Sequence, residues 1–293
     1  MELRELKYFL AVAQTGSISA AADSLYITQP SLSRQMKNLE AEAGGELFER
    51  GSRRITLTER GKLLKKRAEE MLELYDKTMA EMSAPEHKIC GEVRIGGGET
   101  SCAKEVIRAA AAVRRAHPEV KFRFFSGDST AVSEKLDKGL IDFGVMLGVS
   151  DLSAYRSVRL NASDRWGVLV RRDDEFADRA ALTPADLKGK PIITSDQSYA
   201  RGMLEKWFNL PAEEIEVAAT YNLLYVASQL AEEGAGYVLG LEGIINTQGG
   251  ALKFIPLAPE IKNSIDVVWK KFAVFSPPAK AFLAELKRQC ESG

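Results

Sequence analysis

The sequence predicts a protein of mixed α/β class, in which a small helical domain and one long helix precede a larger α/β region. Apolar residues recur every three or four positions up to Met82, which is typical of helices with one buried face. From Gly91 onward, short apolar runs alternate with helical segments, and this alternation predicts βαβ units with a mostly parallel sheet.

Three short helices are predicted at the N-terminus. The first carries its apolar face at Leu3, Leu6, Leu10 and Ala13, and Gly16 ends it. Ser17 is placed to cap the second helix, and Tyr26-Ile27 forms the turn that follows. Thr28 is placed to cap the third helix, which has Pro30 in its first turn and ends at Gly44-Gly45. Two short helices joined by a tight turn suggest a helix-turn-helix.

The third helix has an apolar stripe and an opposite polar side. The stripe consists of Leu32, Met36 and Leu39, and the polar side offers Gln29, Ser31, Ser33, Arg34 and Lys37. Arginine can pair with guanine and glutamine with adenine, and residues at the start of a recognition helix reach base edges. Every amphipathic helix has a polar side, so this helix alone leaves DNA recognition open.

A local concentration of positive charge follows this helix. Leu47–Leu57 is predicted to form a hairpin, with Arg53 and Arg54 at its tip. The basic residues from the hairpin onward are Arg50, Arg53, Arg54, Arg60, Lys62, Lys65, Lys66 and Arg67. Such a run beside a polar helix is typical of phosphate binding, although charge runs are more commonly solvated surface.

The long helix is predicted to start after Thr58 and to run to about Met82, before Pro85. Apolar positions along it alternate in spacing between three and four, which indicates a heptad seam. The predicted dimerisation residues of this seam are Leu64, Met71, Tyr75 and Met82. A helix that lies on its own domain is the alternative.

The C-terminal region is predicted to hold two α/β lobes. The predicted strands are Glu92–Gly96, Lys121–Ser126, Ile141–Leu147, Trp166–Arg171, Pro191–Thr194, Ile215–Ala219, Tyr237–Gly240 and Asp266–Trp269. The predicted helices are Ser101–Arg115, Thr130–Lys138, Arg201–Phe208, Asn222–Glu233 and Ala279–Gln289. We expect a ligand cleft between the lobes, at the carboxyl ends of strands.

Hydroxyl groups and helix starts cluster at those strand ends. The predicted effector-binding residues are Thr100, Ser101, Ser126, Gly127, Ser129, Thr194, Ser195, Tyr221 and Asn222. A helix that starts at Thr100 or Ser101 would offer free N–H groups to an anion, although Gly96-Gly97-Gly98 could be plain turn residues. Glu99 and Asp128 stand nearby and would oppose a simple anion, so a zwitterionic or cationic ligand is the alternative. Cys102, at the start of a helix, is a candidate thiol sensor.

Composition narrows the class of protein. The chain has 293 residues and a net charge of −1, so any nucleic-acid binding must be local. Its three cysteines, Cys90, Cys102 and Cys290, fit reduced thiols better than a disulfide framework. With two histidines in the chain, we predict no metal site and no cofactor. Met1–Leu10 carries charges, and no apolar run reaches the length of a membrane span, so we expect neither a signal peptide nor membrane association.

One family resemblance covers the whole chain. The segment from Glu2 to Gly61 resembles the winged helix-turn-helix of LysR-type transcriptional regulators, on these motifs: Leu6-Lys7-Tyr8-Phe9, Ala20-Ala21-Ala22, Thr28-Gln29-Pro30-Ser31-Leu32-Ser33, Leu47-Phe48-Glu49-Arg50 and Leu57-Thr58-Glu59-Arg60-Gly61. The resemblance implies a C-terminal region that is similar to a periplasmic binding protein. It implies DNA contacts at Gln29, Pro30, Ser31, Ser33, Arg34 and Lys37 and at the wing residues Arg53 and Arg54.

The resemblance also implies a domain plan and partners. Residues 1–58 would bind DNA, 59–87 would link and dimerise, and 88–293 would bind an effector, with lobe I at 91–162 and 264–293 and lobe II at 163–263. Expected partners are double-stranded promoter DNA, a small-molecule effector, further copies in a homodimer or homotetramer, and RNA polymerase, in the cytoplasm. The alternatives are an α/β enzyme or ligand-binding protein with an accessory DNA-binding head, and an architectural DNA protein. No nucleophile–base pair or nucleotide motif supports an enzyme, and a large two-lobed region argues against an architectural role.

Overall fold

A computed structural model describes residues 1–51, 54–83, 85, 88–148, 152–196 and 198–291. The chain divides into two compact units, Met1–Ala84 and Pro85–Gly293. Each unit has its own hydrophobic core and is described by itself.

The N-terminal unit consists of four helices and a two-stranded hairpin. The helices are α1 (Leu3–Thr15), α2 (Ile18–Ser24), α3 (Gln29–Glu42) and α4 (Glu59–Met82). The hairpin strands β1 (Phe48–Arg50) and β2 (Ile55–Leu57) pair antiparallel. Local signals set these boundaries as predicted. Gly16 adopts a left-handed conformation with φ 67°, and the side chains of Ser17 and Thr58 accept hydrogen bonds from Ala20 N–H and Gly61 N–H.

The N-terminal unit differs from the prediction in two details, one in its core and one in a helix cap. In α1 the buried residues are Leu6, Phe9 and Val12, whereas Leu3 is exposed. The buried side of α1 is therefore centred on Phe9 rather than on the predicted leucines, because the Phe9 ring packs 5.3 Å from the Phe48 ring. Thr28 is the N-cap residue of α3, but its side chain makes no capping hydrogen bond with the described residues.

The C-terminal unit begins with alternating strands and helices. Lobe I contains β3 (Gly91–Gly97), α5 (Ala103–Ala116), β4 (Val120–Ser126), α6 (Ser129–Asp137), β5 (Phe143–Leu147) and the final helix α10 (Pro277–Glu291). Lobe II contains α7 (Pro184–Leu187), β7 (Ile192–Ser195), α8 (Ser198–Phe208), β8 (Val217–Tyr221), α9 (Leu224–Glu232), β9 (Tyr237–Leu241) and β10 (Leu252–Pro256). A 3₁₀ turn, Ala212–Glu214, precedes β8.

Two long strands, β6 (Tyr155–Arg171) and β11 (Lys262–Lys270), connect the lobes. The strand order is β4-β3-β5-β11-β6-β9-β7-β8, and β10 pairs with β6. The outer strands are parallel to their neighbours, whereas β11 pairs antiparallel with both β5 and β6. The register of β11 on β6 shifts between Ser264 and Asp266, which is where the two strands pass from one lobe to the other.

The C-terminal elements differ from the prediction mainly at the strands that connect the two lobes. The strand predicted at Trp166–Arg171 already begins at Tyr155, and its polar first half lacks an alternating apolar pattern that would indicate a strand. The helix predicted from Ser101 begins at Ala103. Helix α7 and strand β10 were not predicted; α7 has four residues, which is too short to show a helical period.

Candidate functional site

Helix α3 presents its polar side to the surface of the N-terminal unit. Leu32, Met36 and Leu39 are buried beneath it. Of the residues predicted to contact DNA, Ser33 is half-buried, and the exposed ones are Gln29, Pro30, Ser31, Arg34 and Lys37. A rigid, buried stripe therefore holds a row of hydrogen-bonding side chains outward, which is the arrangement that base-edge recognition requires.

The hairpin is anchored to both α3 and the turn after α1. One carboxylate oxygen of Glu40, on α3, accepts hydrogen bonds from the backbone N–H groups of Leu47 (2.9 Å) and Phe48 (3.3 Å). At the other strand, Ile55 N–H donates to the carbonyl of Gly16. Arg54 is exposed, and its side chain lies so close to Gly16 that a Cβ there would be 2.5 Å from Nε. Arg53 lies outside the described residues.

Part of the predicted basic run is engaged within the protein. The Arg60 guanidinium donates to the carbonyl of Ala43, beyond the end of α3, at 2.9 Å. Lys62 forms an ion pair with Glu59 at 2.6 Å, and Arg67 forms one with Glu70 at 3.0 Å. These three cations therefore have structural partners, and the run contributes less unpaired charge than the sequence suggested.

The predicted seam along helix α4 is packed against its own unit in the first half of the helix and exposed in the second half. Gly61, Ala68 and Leu72 are buried, and Leu64 packs against the core of its own unit. Beyond this half, apolar side chains stand exposed: Met71, Leu74, Tyr75, Met79 and Met82, with Met82 78% exposed. Leu64 is thus partly engaged in packing within its own unit, whereas the other predicted seam residues, Met71, Tyr75 and Met82, are exposed.

A cavity of about 80 Å³ lies where the two lobes meet. Lobe I contributes Gly98, Glu99 and Leu147, and lobe II contributes Ser195, Tyr221, Asn222, Leu224, Leu241 and Ile244; the crossing strands contribute Trp166 and Asn263. With the Asn263 amide oriented by its hydrogen bonds, its oxygen accepts from the Trp166 indole N–H at 2.9 Å. The cavity is therefore mostly apolar, with a few polar groups that could orient a ligand.

Glu99 spans the two lobes at this cavity. Its Oε2 accepts a hydrogen bond from the backbone N–H of Leu224, the first residue of α9, at 2.8 Å. Tyr221 lies beside it and donates its hydroxyl proton to the carbonyl of Leu239 at 2.7 Å. Burial raises the pKa of Tyr221, and the Glu99 charge raises it further, so Tyr221 remains a neutral donor.

The predicted effector residues are distributed unevenly around this cavity. Ser195, Tyr221 and Asn222 line it. The Thr100 hydroxyl instead accepts from Cys102 N–H at 3.0 Å, and Ser101 donates to the Asp164 carboxylate at 3.0 Å. The other predicted residues are not among its lining residues: Ser126, Gly127, Ser129 and Thr194.

The start of α5 also differs from an open anion site. The backbone N–H groups of Ala103, Lys104 and Glu105 donate to the carbonyls of Thr100, Ser101 and Cys102. Cys102 N–H is bonded to the Thr100 hydroxyl, so the N–H groups of residues 102–105 already have acceptors within the protein. Asp128, the second predicted acid, accepts from Ala131 N–H as the cap of α6 and does not line the cavity.

Cys102 does not have the character of a thiol sensor. It is buried, and burial together with the Asp164 charge raises its pKa to about 11. A reactive cysteine needs a lowered pKa and solvent access, and Cys102 has neither. The structure therefore argues against the sensor hypothesis.

A second cavity, of about 220 Å³, lies within lobe I between α5 and strands β3 and β4. Its walls are largely apolar and include Val106, Ile107, Phe124 and Phe125, and Ser126 is its hydroxyl-bearing residue. Ser126 therefore lines this second cavity, which shares Gly98 with the inter-lobe cavity.

Comparison with known proteins decides the family. Residues 3–62 match the bacterial regulatory helix-turn-helix proteins of the lysR family, and residues 86–291 match the LysR substrate binding domain. The chain belongs to the LysR family. It is a LysR-type DNA-binding transcriptional regulator with a substrate-binding domain, as the sequence predicted, and not an enzyme.

Relatives and solved structures agree with this assignment. The HTH-type transcriptional regulator BsdA of Bacillus subtilis is 32% identical over 211 residues, which are 71% of this chain and 72% of BsdA. The regulator BenM of Acinetobacter baylyi is 36% identical over 162 residues, 55% of this chain and 53% of BenM.

Solved LysR structures share the fold. The LysR-family regulator CbnR, 22% identical, has a TM-score of 0.79 with 99% of both chains covered. Full-length BenM, 25% identical, has a TM-score of 0.56 with 100% of this chain and 97% of BenM covered. The predicted fold class is thereby confirmed. Within the described residues, none of the helices is both long and apolar enough to cross a membrane.

Several cavity residues of this LysR regulator carried no signal in the sequence. Trp166 and Asn263 lie on the two strands that connect the lobes, Leu241 ends β9 and Ile244 follows it, so all four are distant in sequence from the predicted loops. Apolar residues in strands are normally core residues, and only the meeting of the lobes assigns these to a cavity.

Proposed function

We propose that α3 reads operator bases through Gln29, Pro30, Ser31, Ser33, Arg34 and Lys37, while the wing contacts the DNA backbone through Arg53 and Arg54. The observation that carries this proposal is the outward polar side of α3 over a buried apolar stripe. Arg34 is the main candidate for base recognition, because an exposed guanidinium can pair with guanine through two hydrogen bonds.

The regulator acts as a dimer in this proposal, through the exposed second half of α4. Met71, Tyr75 and Met82 belong to the predicted seam, and Leu74 and Met79 extend it. Contacts between C-terminal units would pair dimers into a homotetramer. Exposed apolar side chains on both lobes support such contacts: Ile107 and Phe124 on lobe I, and Val217, Leu223, Tyr225 and Val226 on lobe II.

The effector binds in the inter-lobe cavity in this proposal, with Ser195, Tyr221 and Asn222 as its polar contacts. Ligand binding between two lobes is common in two-lobed α/β proteins, and the cavity walls come from both lobes and from the strands that connect them. Domain bounds of 1–58, 59–87 and 88–293 fit this division of tasks. A regulator of this kind works in the cytoplasm, where it would contact RNA polymerase at the promoter.

A gel-shift titration tests the DNA-binding part. The probe is the DNA upstream of the gene, with a random duplex of equal length as the reference. Arg34→Ala should weaken specific binding by about 1–3 kcal/mol and relax discrimination at one base pair. Arg4→Ala is the matched control, because Arg4 lies on α1 and pairs with Glu2. If Arg34→Ala binds both duplexes as the parent does, Arg34 does not recognise bases.

The wing is tested by the salt dependence of the same titration. Arg53→Ala should weaken binding to all sequences and reduce the slope of log affinity against log salt by about one. An unchanged slope on both duplexes would contradict a phosphate contact at this position.

A further inference from the structure

We propose that the effector of the inter-lobe cavity carries a protonated amine, which pairs with the carboxylate of Glu99. This inference rests on the proposed function of the cavity as the effector site, and it adds the chemical class of the ligand. The geometry of Glu99, the charge of the described lining and the size of the cavity support it.

Glu99 already occupies the position that a ligand anion would take. Its Oε2 accepts from Leu224 N–H at 2.8 Å, and Leu224 opens α9, where the helix dipole provides partial positive charge. An anionic ligand would have to displace this carboxylate from its donor. It would also meet a like charge within the cavity, where the surrounding protein screens the repulsion less than bulk water does.

The described lining residues offer no counter-charge to Glu99. Among the described lining residues Glu99 is the only one with a charged side chain, and the polar remainder consists of Ser195, Tyr221, Asn222 and Asn263. Closure over a neutral ligand would take the carboxylate further out of water with a single hydrogen bond as compensation. An ammonium group supplies both the opposite charge and hydrogen-bond donors.

The rest of the cavity favours a compact apolar body. Leu147, Leu241 and Ile244 form apolar walls, and the Trp166 indole adds a surface that attracts cations. The cavity volume of about 80 Å³ favours a small ligand. The class of ligand is thus a small aliphatic amine. An amino acid would have to direct its carboxylate away from Glu99, toward the amide and hydroxyl groups of the lining.

Isothermal titration calorimetry with three probes of one shape tests the proposal: 3-methylbutylamine, 3-methylbutanol and 3-methylbutanoate. The full-length parent should bind the amine at least about tenfold more tightly than the alcohol, and the acid more weakly still. Glu99→Gln retains an oxygen acceptor for Leu224 N–H, so the fold is preserved. It should lose about tenfold in amine affinity and nothing for the alcohol.

Two further variants separate the possible failures. Glu99→Asp keeps the charge and should restore part of the preference for the amine, whereas Glu134→Gln, an exposed carboxylate on α6, should behave as the parent. Asn222→Trp fills the rim of the cavity and should abolish binding of every probe.

The ligand class is wrong if the parent prefers the acid, or if Glu99→Gln binds the amine as well as the parent does. The choice of cavity is wrong if the probes bind but Asn222→Trp leaves their affinities unchanged. Absence of binding by all three probes also overturns the proposed class of ligand.

Discussion

The polar groups of α3 and those of the inter-lobe cavity are presented in opposite ways. On α3 they are neighbours in sequence on one side of one helix, and most of them are exposed. At the cavity they come from separate segments of both lobes, and Glu99 and Tyr221 are already bonded to backbone groups. A surface that contacts a large polymer can therefore be encoded locally, whereas a cavity for a small ligand depends on long-range packing.

The largest expected effect concerns α4. Met71→Glu combined with Leu74→Glu should place charge in the exposed apolar face and split the dimer, because burying two carboxylates without partners is unfavourable. Operator affinity should then fall by about 100-fold or more, because the two DNA-binding units are no longer linked and the second one no longer binds intramolecularly. Sedimentation and gel shift measure the two effects.

The matched control for α4 is Ala80→Glu. Ala80 is exposed and lies about two and a half turns beyond Met71, on the opposite side of the helix. It should leave both assembly and binding intact. A double variant that stays dimeric with full operator affinity would show that this face packs elsewhere.

Two helical glycines, one in each unit, should respond in opposite directions. A Cβ at Gly61 would lie 2.1 Å from the Leu47 carbonyl oxygen, so Gly61→Ala should destabilise the N-terminal unit by about 3 kcal/mol. A Cβ at Gly202, on α8, meets nothing within 4 Å among the described residues. Gly202→Ala should therefore stabilise the C-terminal unit by about 1 kcal/mol.

The tryptophans make these two effects separable. Trp166, Trp207 and Trp269 all lie in the C-terminal unit, so their fluorescence follows its unfolding alone. In Gly61→Ala, operator binding and part of the far-UV signal should be lost at a lower denaturant concentration than in the parent. The midpoint of the fluorescence transition should stay unchanged. Equal stability of parent and Gly61→Ala would contradict the close approach of α4 to the start of the hairpin.

Thr100→Val should affect the stability of the C-terminal unit rather than its ligand response. It removes the acceptor of a buried N–H group, that of Cys102, which costs about 1–3 kcal/mol. Thr220→Val, at an exposed strand position, should stay within about 0.5 kcal/mol of the parent in the same fluorescence measurement. A Thr100→Val protein of unchanged stability that no longer responds to ligand would instead support the sequence-based prediction of a direct contact.

The smallest effect concerns the thiols. Because the pKa of Cys102 is raised from 9.0 to about 11, its thiolate fraction at pH 8 should be about 100-fold lower than that of an unperturbed thiol. Mass spectrometry after iodoacetamide treatment should find Cys102 unmodified up to pH 9 and the half-buried Cys90 labelled first.

The same shift has a stability consequence of defined sign. Folding holds the proton on Cys102, so its contribution is complete below pH 9 and declines as the pH rises toward 11. Cys102→Ala should remove this part of the pH dependence of denaturant unfolding. Rapid labelling of Cys102 in the native protein at pH 7 would contradict its buried, protonated state.

The elements whose signals lie within a few residues of one another could be predicted from the sequence. Gly16, Ser17 and Thr58 end or cap helices through contacts with their own neighbours, and the period of Leu32, Met36 and Leu39 fixes the outward side of α3. Alternating strands and helices likewise indicated two α/β lobes. Such interactions form between residues that are close in sequence and do not depend on the rest of the fold, which is why they could be predicted.

Which side chains contact one another depends on packing between segments that are distant in sequence. The strand order sets Glu99 against the first turn of α9 and brings Trp166 and Asn263 into the cavity, although these residues are far apart in sequence. Packing within the N-terminal unit likewise brings Leu64 against its core, and the backbone N–H of Cys102 donates to the Thr100 hydroxyl. A hydrogen-bonding group or an apolar face bonds to whichever partner folding brings near, and the identity of that partner is a property of the whole fold rather than of the residue.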